Sequence, residues 1–265
     1  MIGHLQLVCG VDGQGRSYLR EQSFCAPIHI GKPFTEEEVL VVNLVNPTAG
    51  LFEGDSIECR VEVDAGGRML LTSPSASRAH RMQGGEARLN QEFKVEGFLE
   101  VLPELFIPQQ GARYRQSTVI HVESGGELIF FESLAPGRVA SGEAFAFQHL
   151  SWDTALYFGG TKILKEHYSL MPGDLSLQAL RVKFPKAYYG SCFAIGSRFV
   201  EAKEEWEGIL ELQNESALIG ASRLCKGGWV IKILAENSVD FRAVQNQLRE
   251  RLYGMLGRPV PSLRR

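Results

Sequence analysis

One strand-turn-strand pattern occurs three times in the first half of the chain. Residues 61–70 align with residues 120–129, and a shorter copy lies between them at residues 95–101. In the two longer copies, alternating apolar residues lead into a Gly-Gly turn that is followed by a second apolar stretch. A stack of such units buries the apolar faces that no single unit can bury alone. One valine of each copy marks a repeat of about thirty residues: Val63, Val95 and Val122.

The clearest strand of the repeat alternates strictly between apolar and charged residues over positions 57–64. This pattern predicts a strand with one buried face, and the glycines that follow it, Gly66 and Gly67, predict a tight turn. The fold predicted from the repeat is mainly β, a β-helix-like stack of antiparallel strand-turn-strand coils with few α-helices, rather than a parallel crossover fold. The alternative is a pair of unrelated hairpins that share a Gly-Gly turn.

One segment near the C-terminus has a clear helical pattern. After Ser238, a good N-cap residue, apolar residues recur at steps of three and four until Gly257 and Pro259 interrupt them. This spacing predicts a helix over about residues 239–256. No flexible linker separates the segments, so residues 1–265 are expected to form a single domain. Further strands are predicted from short apolar or alternating runs: 39–45, 155–158, 163–170, 178–184, 209–212 and 229–234.

Composition excludes several classes of protein. A hydrophobic fraction of 44% and a charged fraction of 22% exclude a disordered, collagen-like or coiled-coil chain. The net charge of −3 gives no general attraction to nucleic acid or to anionic membranes. The five cysteines are scattered without a CxxC pair, and no segment has the pattern of a signal peptide or a membrane span. A cytoplasmic protein is therefore expected.

The sequence contains none of the common catalytic or phosphate-binding motifs. HExxH, GxGxxG, GxxxxGK[ST] and GxSxG are all absent, so we do not expect an enzyme. Polar residues at strand ends stand out instead. Asp55 precedes the alternating strand, where it either caps the turn or offers an oxygen to a passing cation. Thr72 and Ser73 follow an apolar strand, where their hydroxyls either line a wall or satisfy local backbone groups.

At these residues the chain resembles the family of the urease accessory protein UreD, called UreH in some organisms. The order and spacing of the similar segments agree over roughly residues 40 to 145, and the ordered set is more specific than any one motif. Four segments carry the resemblance: Asn46-Pro47-Thr48-Ala49-Gly50 with Gly54-Asp55, Leu71-Thr72 through Ala76 to Arg78 and Arg81, Leu99-Glu100-Val101-Leu102-Pro103-Glu104, and Gly137-Arg138-Val139-Ala140-Ser141-Gly142-Glu143.

The resemblance implies a β-rich architecture of helical coils and a function without turnover. Proteins of that family form a complex with UreF, which recruits the GTPase UreG, and the assembly docks on the urease apoprotein to deliver nickel. Nickel is expected to pass in transit through a water-filled passage inside the chain, with no tightly bound cofactor. A dimer within the accessory complex is an expectation of the same kind.

The resemblance also suggests residues that line the passage. By its match to the Gly-Asp segment, Asp55 is the first candidate for a transient nickel ligand, with Thr72 and Ser73 as neighbours in the passage. Glu166 is a second candidate ligand, although it lies beyond the well-matched region. Scattered carboxylates and hydroxyls suit a conduit, because a cage of His and Cys ligands would retain a borderline metal ion.

Further candidates concern the passage or contact with a partner. Glu143 is one of them, and its alternative is a local ion pair with Arg138. Phe241, Val244 and Leu248 are predicted to contact UreF through the apolar stripe of the C-terminal helix. The alternative is that this stripe packs on the chain's own core, as most apolar stripes do.

Two other functions remain open at the level of sequence. A β-rich carbohydrate-active hydrolase would pair Asp55 with Glu143 or Glu166 as acid and base. A plain interaction scaffold would need no metal passage. Turnover of a substrate by the isolated protein would indicate the hydrolase, whereas nickel-dependent activation of urease would indicate the accessory protein.

Overall fold

Two large sheets make up most of the structure. The computed structural model describes residues 1–48, 50–202 and 206–263. The strands in these residues are β1 (Ile2–Val11), β2 (Ser17–Cys25), β3 (His29–Ile30), β4 (Phe34–Glu36), β5 (Val39–Val45), β6 (Ser56–Val63), β7 (Arg68–Thr72), β8 (Ser77–Ala79), β9 (Ala87–Val95), β10 (Phe98–Leu102), β11 (Phe106–Pro108), β12 (Arg113–Val122), β13 (Glu127–Leu134), β14 (His149–Phe158), β15 (Thr161–Leu170), β16 (Tyr188–Ile195), β17 (Ala217–Arg223) and β18 (Gly228–Ala235).

The two sheets face each other across an apolar core. The first sheet has the strand order β15-β14-β12-β9-β6-β1-β2. The second has the order β17-β18-β16-β13-β10-β7-β5-β3, with the short strands β4, β8 and β11 beside this path. Side chains from both sheets meet between them. The ring of Phe93 on β9 packs edge-on against the ring of Phe130 on β13, with 5.1 Å between the ring centroids. This apolar layer holds the sheets together.

The three predicted coils occupy the centre of this arrangement. Each coil places its first strand in the first sheet and its second strand in the second sheet, as β6–β7, β9–β10 and β12–β13. Val63 is paired with Val95, and Val95 is paired with Val122. The three valines that mark the repeat in the sequence therefore form one row across neighbouring strands, which confirms the stack of coils.

The mainly β fold with few helices is confirmed, but the strand direction differs from the expectation. The strands β6, β9 and β12 pair in parallel, and so do β7, β10 and β13. The turn of each coil carries the chain from one sheet to the other, so its two strands do not pair and successive coils run in the same direction. Antiparallel pairing occurs beside the stack, between β1 and β2, between β14 and β15, and among β13, β16, β18 and β17.

Glycines in the turns allow the coils to stack closely. A Cβ atom added to Gly97 would lie 2.2 Å from the carbonyl oxygen of Gly67, and one added to Gly126 would lie 2.4 Å from that of Val95. Both distances are far below van der Waals contact, so any side chain would push neighbouring turns apart. Gly97 and Gly126 are therefore required by the approach of one coil to the next.

Helices lie outside the stack. They are α1 (Leu175–Lys183), α2 (Ser197–Glu201), α3 (Glu207–Leu210) and α4 (Ser238–Met255), with a short 3-10 helix at Val139–Ser141. The strands predicted at residues 178–184 and 209–212 are wrong, since these residues lie largely in α1 and α3. Leu177 and Leu180 of α1 and Phe184 directly after it face inward at helical spacing, and Val182 is exposed. Among the described residues no helix is long and apolar enough to cross a membrane.

The C-terminal helix is found one residue earlier than predicted, at Ser238–Met255 rather than about 239–256. Asn237 is its N-cap, because the Asn237 side chain accepts hydrogen bonds from the backbone N–H groups of Val239 (3.0 Å) and Asp240 (2.9 Å). The helix packs on the face of the second sheet that points away from the first sheet. The second sheet is therefore buried on both faces, as the almost continuous apolar run of β13 indicates.

Candidate functional site

A pocket of about 350 Å³ lies between the two sheets near the C-terminal ends of β7 and β10. One wall of the pocket includes Thr72, Ser73 and Glu104. The pocket is also lined by the loop that contains Thr48 and by strand β8, which contains Arg78. The opposite wall carries polar and aromatic side chains of β9, β12 and β14, which are Gln91, Tyr114, Gln116 and Trp152. Glu132 of β13 also lines the pocket, from the same sheet as Thr72. The pocket is therefore a partly polar space inside an otherwise apolar sandwich.

Glu132 is the buried charged residue of this pocket. It lies on β13, points between the sheets, and is 5% exposed. Its Oε1 atom accepts hydrogen bonds from Gln116 Nε2 (3.1 Å) and Thr154 Oγ1 (3.4 Å). Within the described part of the chain, neither its Oε2 atom nor the buried indole nitrogen of Trp152 in the same pocket makes a hydrogen bond of ordinary geometry, although the two groups are close enough for the Trp152 N–H to lower the pKa of Glu132. A buried carboxylate oxygen without a donor is unusual in a folded protein and marks a candidate functional group.

The surroundings of Glu132 raise its pKa to about 7. Burial is the largest cause, because it disfavours the charged carboxylate. The charge of Lys232 lowers the pKa, and the charge of Glu166 raises it. Glu132 therefore changes its charge near neutral pH.

A row of polar side chains continues from the pocket across the first sheet. Gln91, Thr118, Thr154 and Glu166 occupy paired positions on β9, β12, β14 and β15, so they share the inner face. The Thr118 hydroxyl accepts hydrogen bonds from Gln91 Nε2 (3.2 Å) and Gln116 Nε2 (3.3 Å). The row ends at Glu166 on the edge strand β15, where the carboxylate forms an ion pair with Lys232 of β18. The predicted candidate Glu166 is thus linked to Glu132 through Thr154, which is paired with Glu166 and donates to Glu132 from the facing sheet.

Two predicted neighbours of the passage, Thr72 and Ser73, line the pocket. The Thr72 hydroxyl donates to the carbonyl oxygen of Leu102 (2.7 Å), and the Ser73 hydroxyl accepts from the backbone N–H of Glu104 (2.9 Å). Both alternatives considered for these hydroxyls therefore apply, since they satisfy backbone groups and also form part of a wall.

Asp55, the first candidate ligand, lies outside this pocket. It is 3% exposed, forms an ion pair with the amino group of Met1, and accepts a hydrogen bond from the backbone N–H of Phe52 (2.8 Å). These contacts fix the turn before β6 and join it to the start of β1. The geometry favours the turn-capping alternative for this carboxylate.

Replacing Asp55 by Ala is expected to destabilise the protein by about 1–3 kcal/mol, because the amino group of Met1 and the backbone N–H of Phe52 lose their acceptor. Urea denaturation monitored by circular dichroism measures this loss. At a temperature where the variant remains folded, we expect the activity that the resemblance implies, activation of urease, at the level of the unchanged chain. A folded Asp55→Ala protein that fails to support activation would instead restore Asp55 as a ligand.

The remaining predicted residues are placed as their alternatives describe. Glu143 forms an ion pair with Arg138, whose guanidinium holds the pKa of that carboxyl below its ordinary value. Phe241, Val244 and Leu248 are 1%, 1% and 0% exposed and pack on the second sheet. This corrects the expectation that these three side chains contact a partner, because the folded chain covers them with its own core.

Sequence reasoning overlooked Glu132, although a signal was present. Residues 128–134 form an apolar run that a single Glu and a neighbouring Ser interrupt. A charged residue inside a strand that is buried on both faces must have a partner or a function. In the part of the chain that the structure describes, no group of three or more His, Cys, Asp and Glu side chains is placed to hold a metal ion.

Comparison with known proteins gives consistent matches along nearly the whole chain. The family model described as UreD urease accessory protein matches residues 1–265. A urease accessory protein UreD from Opitutus terrae is 38% identical over 93% of this chain and 92% of its own length. A UreD from Acetivibrio thermocellus is 29% identical over 90% of this chain and 93% of its own. A urease accessory protein UreH from Helicobacter hepaticus is 26% identical over 84% of this chain and 88% of its own length.

Proposed function

Since this chain belongs to the UreD family of urease accessory proteins, we propose that it conveys nickel to the urease apoprotein through the pocket between its two sheets. The chain is a maturation factor of urease rather than a catalyst. Nickel is its cargo in transit, and we propose no tightly bound cofactor. The observation that carries the proposal is the buried Glu132 carboxylate, which lines the pocket and whose Oε2 atom makes no hydrogen bond of ordinary geometry with the described residues.

The donors of the pocket suit a cation that must be released again. The Glu132 carboxylate, with amide and hydroxyl oxygens of Gln116, Thr72 and Ser73 around the same space, offers hard oxygen ligands. Such ligands bind a borderline ion such as Ni²⁺ more weakly than a set of imidazole and thiolate ligands. Weak binding permits onward transfer to a site that holds the metal more firmly.

The polar row gives the proposed route a direction. It leads from the hydroxyls near the ends of β7 and β10, past Gln116 and Glu132, to Glu166 at the edge strand β15. The apolar core borders this row within the sandwich. An ion that follows the row therefore exchanges one oxygen donor for the next instead of crossing apolar contacts.

We further propose that the chain works in a cytoplasmic complex with UreF, which brings the GTPase UreG, and that this complex docks on the urease apoprotein. Family membership supports an interaction with urease and with other accessory proteins. A dimer within the complex belongs to the same proposal. Co-purification of this chain with UreF, and of both with urease apoprotein, tests the partners directly.

Reconstitution of urease tests the proposed function. Urease apoprotein, UreF, UreG, GTP, bicarbonate and Ni²⁺ are combined with or without this chain, and urea hydrolysis is then measured. We expect activation to require the chain. Equal activation without it would contradict the proposal. Activation that requires the chain but is unaffected by changes in the pocket would favour a plain interaction scaffold.

The hydrolase alternative has no support in the geometry. Each carboxylate that it would use is engaged by a cation: Asp55 by the amino group of Met1, Glu143 by Arg138, and Glu166 by Lys232. An acid and base pair needs two carboxyl groups that share one substrate. These three belong to separate ion pairs on different elements, so we propose no hydrolytic activity.

A further inference from the structure

Lys232 forms a cationic end to the polar row. Its Nζ atom donates to both oxygens of Glu166, one of them at 2.6 Å, and to the hydroxyl of Ser191 at 2.9 Å. The Lys232 side chain is 31% exposed and that of Glu166 is 22% exposed, so this ion pair lies between the interior and the solvent. A lysine in this place needs an explanation, because a cation would repel any metal ion that travels along the row.

The ammonium group forms an ion pair with Glu166, and its charge also acts on Glu132. Glu132, Ser191 and Lys232 occupy paired positions on the adjacent strands β13, β16 and β18. From the facing sheet, the Thr154 hydroxyl donates a hydrogen bond to Glu132. Thr154 on β14 is also paired with Glu166 on β15. Glu132 and Glu166 are therefore next to each other along the row, and the charges of both Lys232 and Glu166 act on Glu132.

We propose that Lys232 is a resident counter-ion that competes with the cargo cation for Glu132 and Glu166. In the empty chain the ammonium group offsets one of the two carboxylate charges. A divalent cation that enters from the pocket binds the two carboxylates and displaces the ammonium toward the solvent, and the returning ammonium then expels the cation. This inference rests on the proposed function and adds a release step to it.

Charge balance explains why one cation can replace the other beside these two carboxylates. Two partly buried carboxylates without a cation would carry two negative charges in a region of low dielectric, which is costly. One ammonium leaves a net charge of −1, and one divalent cation leaves a net charge of zero. A lysine suits this role because its ammonium is a point charge on a flexible four-carbon stem that reaches the surface.

Removing the ammonium tests the proposal. With Lys232→Met, titration of Ni²⁺ into the purified full-length chain is expected to give a dissociation constant about tenfold lower, because a like charge within a few ångströms typically shifts an equilibrium by this factor or more. Dissociation of Ni²⁺ should slow by a similar factor. The matched control is Lys165→Met, which removes the same charge from the exposed face of the same edge strand as Glu166 and should leave the affinity unchanged.

The same test is repeated in a Glu166→Gln variant, because Lys232→Met alone leaves the Glu166 carboxylate without its cation and could impair folding. Glu166→Gln is compared with the double variant Lys232→Met/Glu166→Gln, in which no unpaired carboxylate remains at that edge. The double variant is expected to bind Ni²⁺ about tenfold more tightly than Glu166→Gln alone.

The outcomes separate this inference from the proposed function. If removal of the ammonium leaves the affinity unchanged in both backgrounds while Glu132→Gln weakens it, the counter-ion role is overturned and the passage stands. If Glu132→Gln also leaves Ni²⁺ binding unchanged, the proposed nickel passage is contradicted as well. Tighter binding in both backgrounds supports both.

Discussion

With Glu132 replaced by Gln, nickel-dependent activation of urease is expected to fall by about tenfold or more. Loss of groups that merely support a metal ligand costs about 10–100-fold in affinity, and loss of the carboxylate itself should cost at least the lower of these values. Gln keeps the size of the side chain and an oxygen that accepts from Gln116. The variant should therefore fold normally, and the initial rate of urea hydrolysis after reconstitution measures the effect.

The matched control is Glu92→Gln. Glu92 lies on the same sandwich but on the outer face of the first sheet, where its side chain is 41% exposed. This change should leave activation and nickel binding as they are. Full activation by Glu132→Gln, together with an unchanged affinity for Ni²⁺, would remove Glu132 from the proposed route.

The pH dependence provides a second readout of the same residue. Because protons compete with metal for the carboxylate, Ni²⁺ binding is expected to strengthen as the pH rises through about 7. Glu132→Gln should abolish this step. The free energy of unfolding changes with pH in the opposite direction, because the Glu132 carboxyl holds its proton more tightly in the folded chain than in the unfolded chain. The stability that the proton contributes is complete below the ordinary pKa of the group and is lost as the pH rises through about 7.

The stack of coils could be predicted because its evidence is local and repeated. The spacing of Val63, Val95 and Val122 matches their places in one row of paired strands. The parallel direction could not be derived from the same pattern. Period-two alternation reports which face of a strand is buried, but it does not report which strand lies beside it. A Gly-Gly turn likewise permits either a hairpin or a crossing between two sheets.

The site was harder to predict because its evidence is non-local. Glu100 and Glu132 each stand in a buried strand among apolar residues, and the sequence gives no reason to treat them differently. In the structure, Glu100 is neutralised by Arg249 of the C-terminal helix, whereas one oxygen of Glu132 has no donor among the described residues. The difference depends on a helix that follows far along the chain. Asp55 stood out in the sequence for a local reason, and its contacts proved to be those of a turn.

Breaking the buried ion pair of the C-terminal helix is expected to have the largest effect on stability. Arg249 donates to the two oxygens of Glu100 at 2.5 and 2.8 Å, and Tyr253 donates to Glu100 at 2.6 Å. The side chains of Arg249 and Glu100 are 7% and 0% exposed. Arg249→Met should lower the free energy of unfolding by about 3–5 kcal/mol, because it leaves a buried carboxylate without its cation. Urea denaturation at neutral pH measures this change.

The same helix offers a matched control. Arg242 pairs with Glu104, but its side chain is 54% exposed, so Arg242→Met should cost no more than about 1 kcal/mol. The double variant Glu100→Gln/Arg249→Met should recover much of the loss, since it removes both buried charges. A small effect of Arg249→Met would mean that the helix is held by Phe241, Val244 and the rest of its apolar stripe alone. A large effect that the double variant relieves would assign to Glu100 a role in attaching the helix, which separates it from the proposed role of Glu132 in binding cargo.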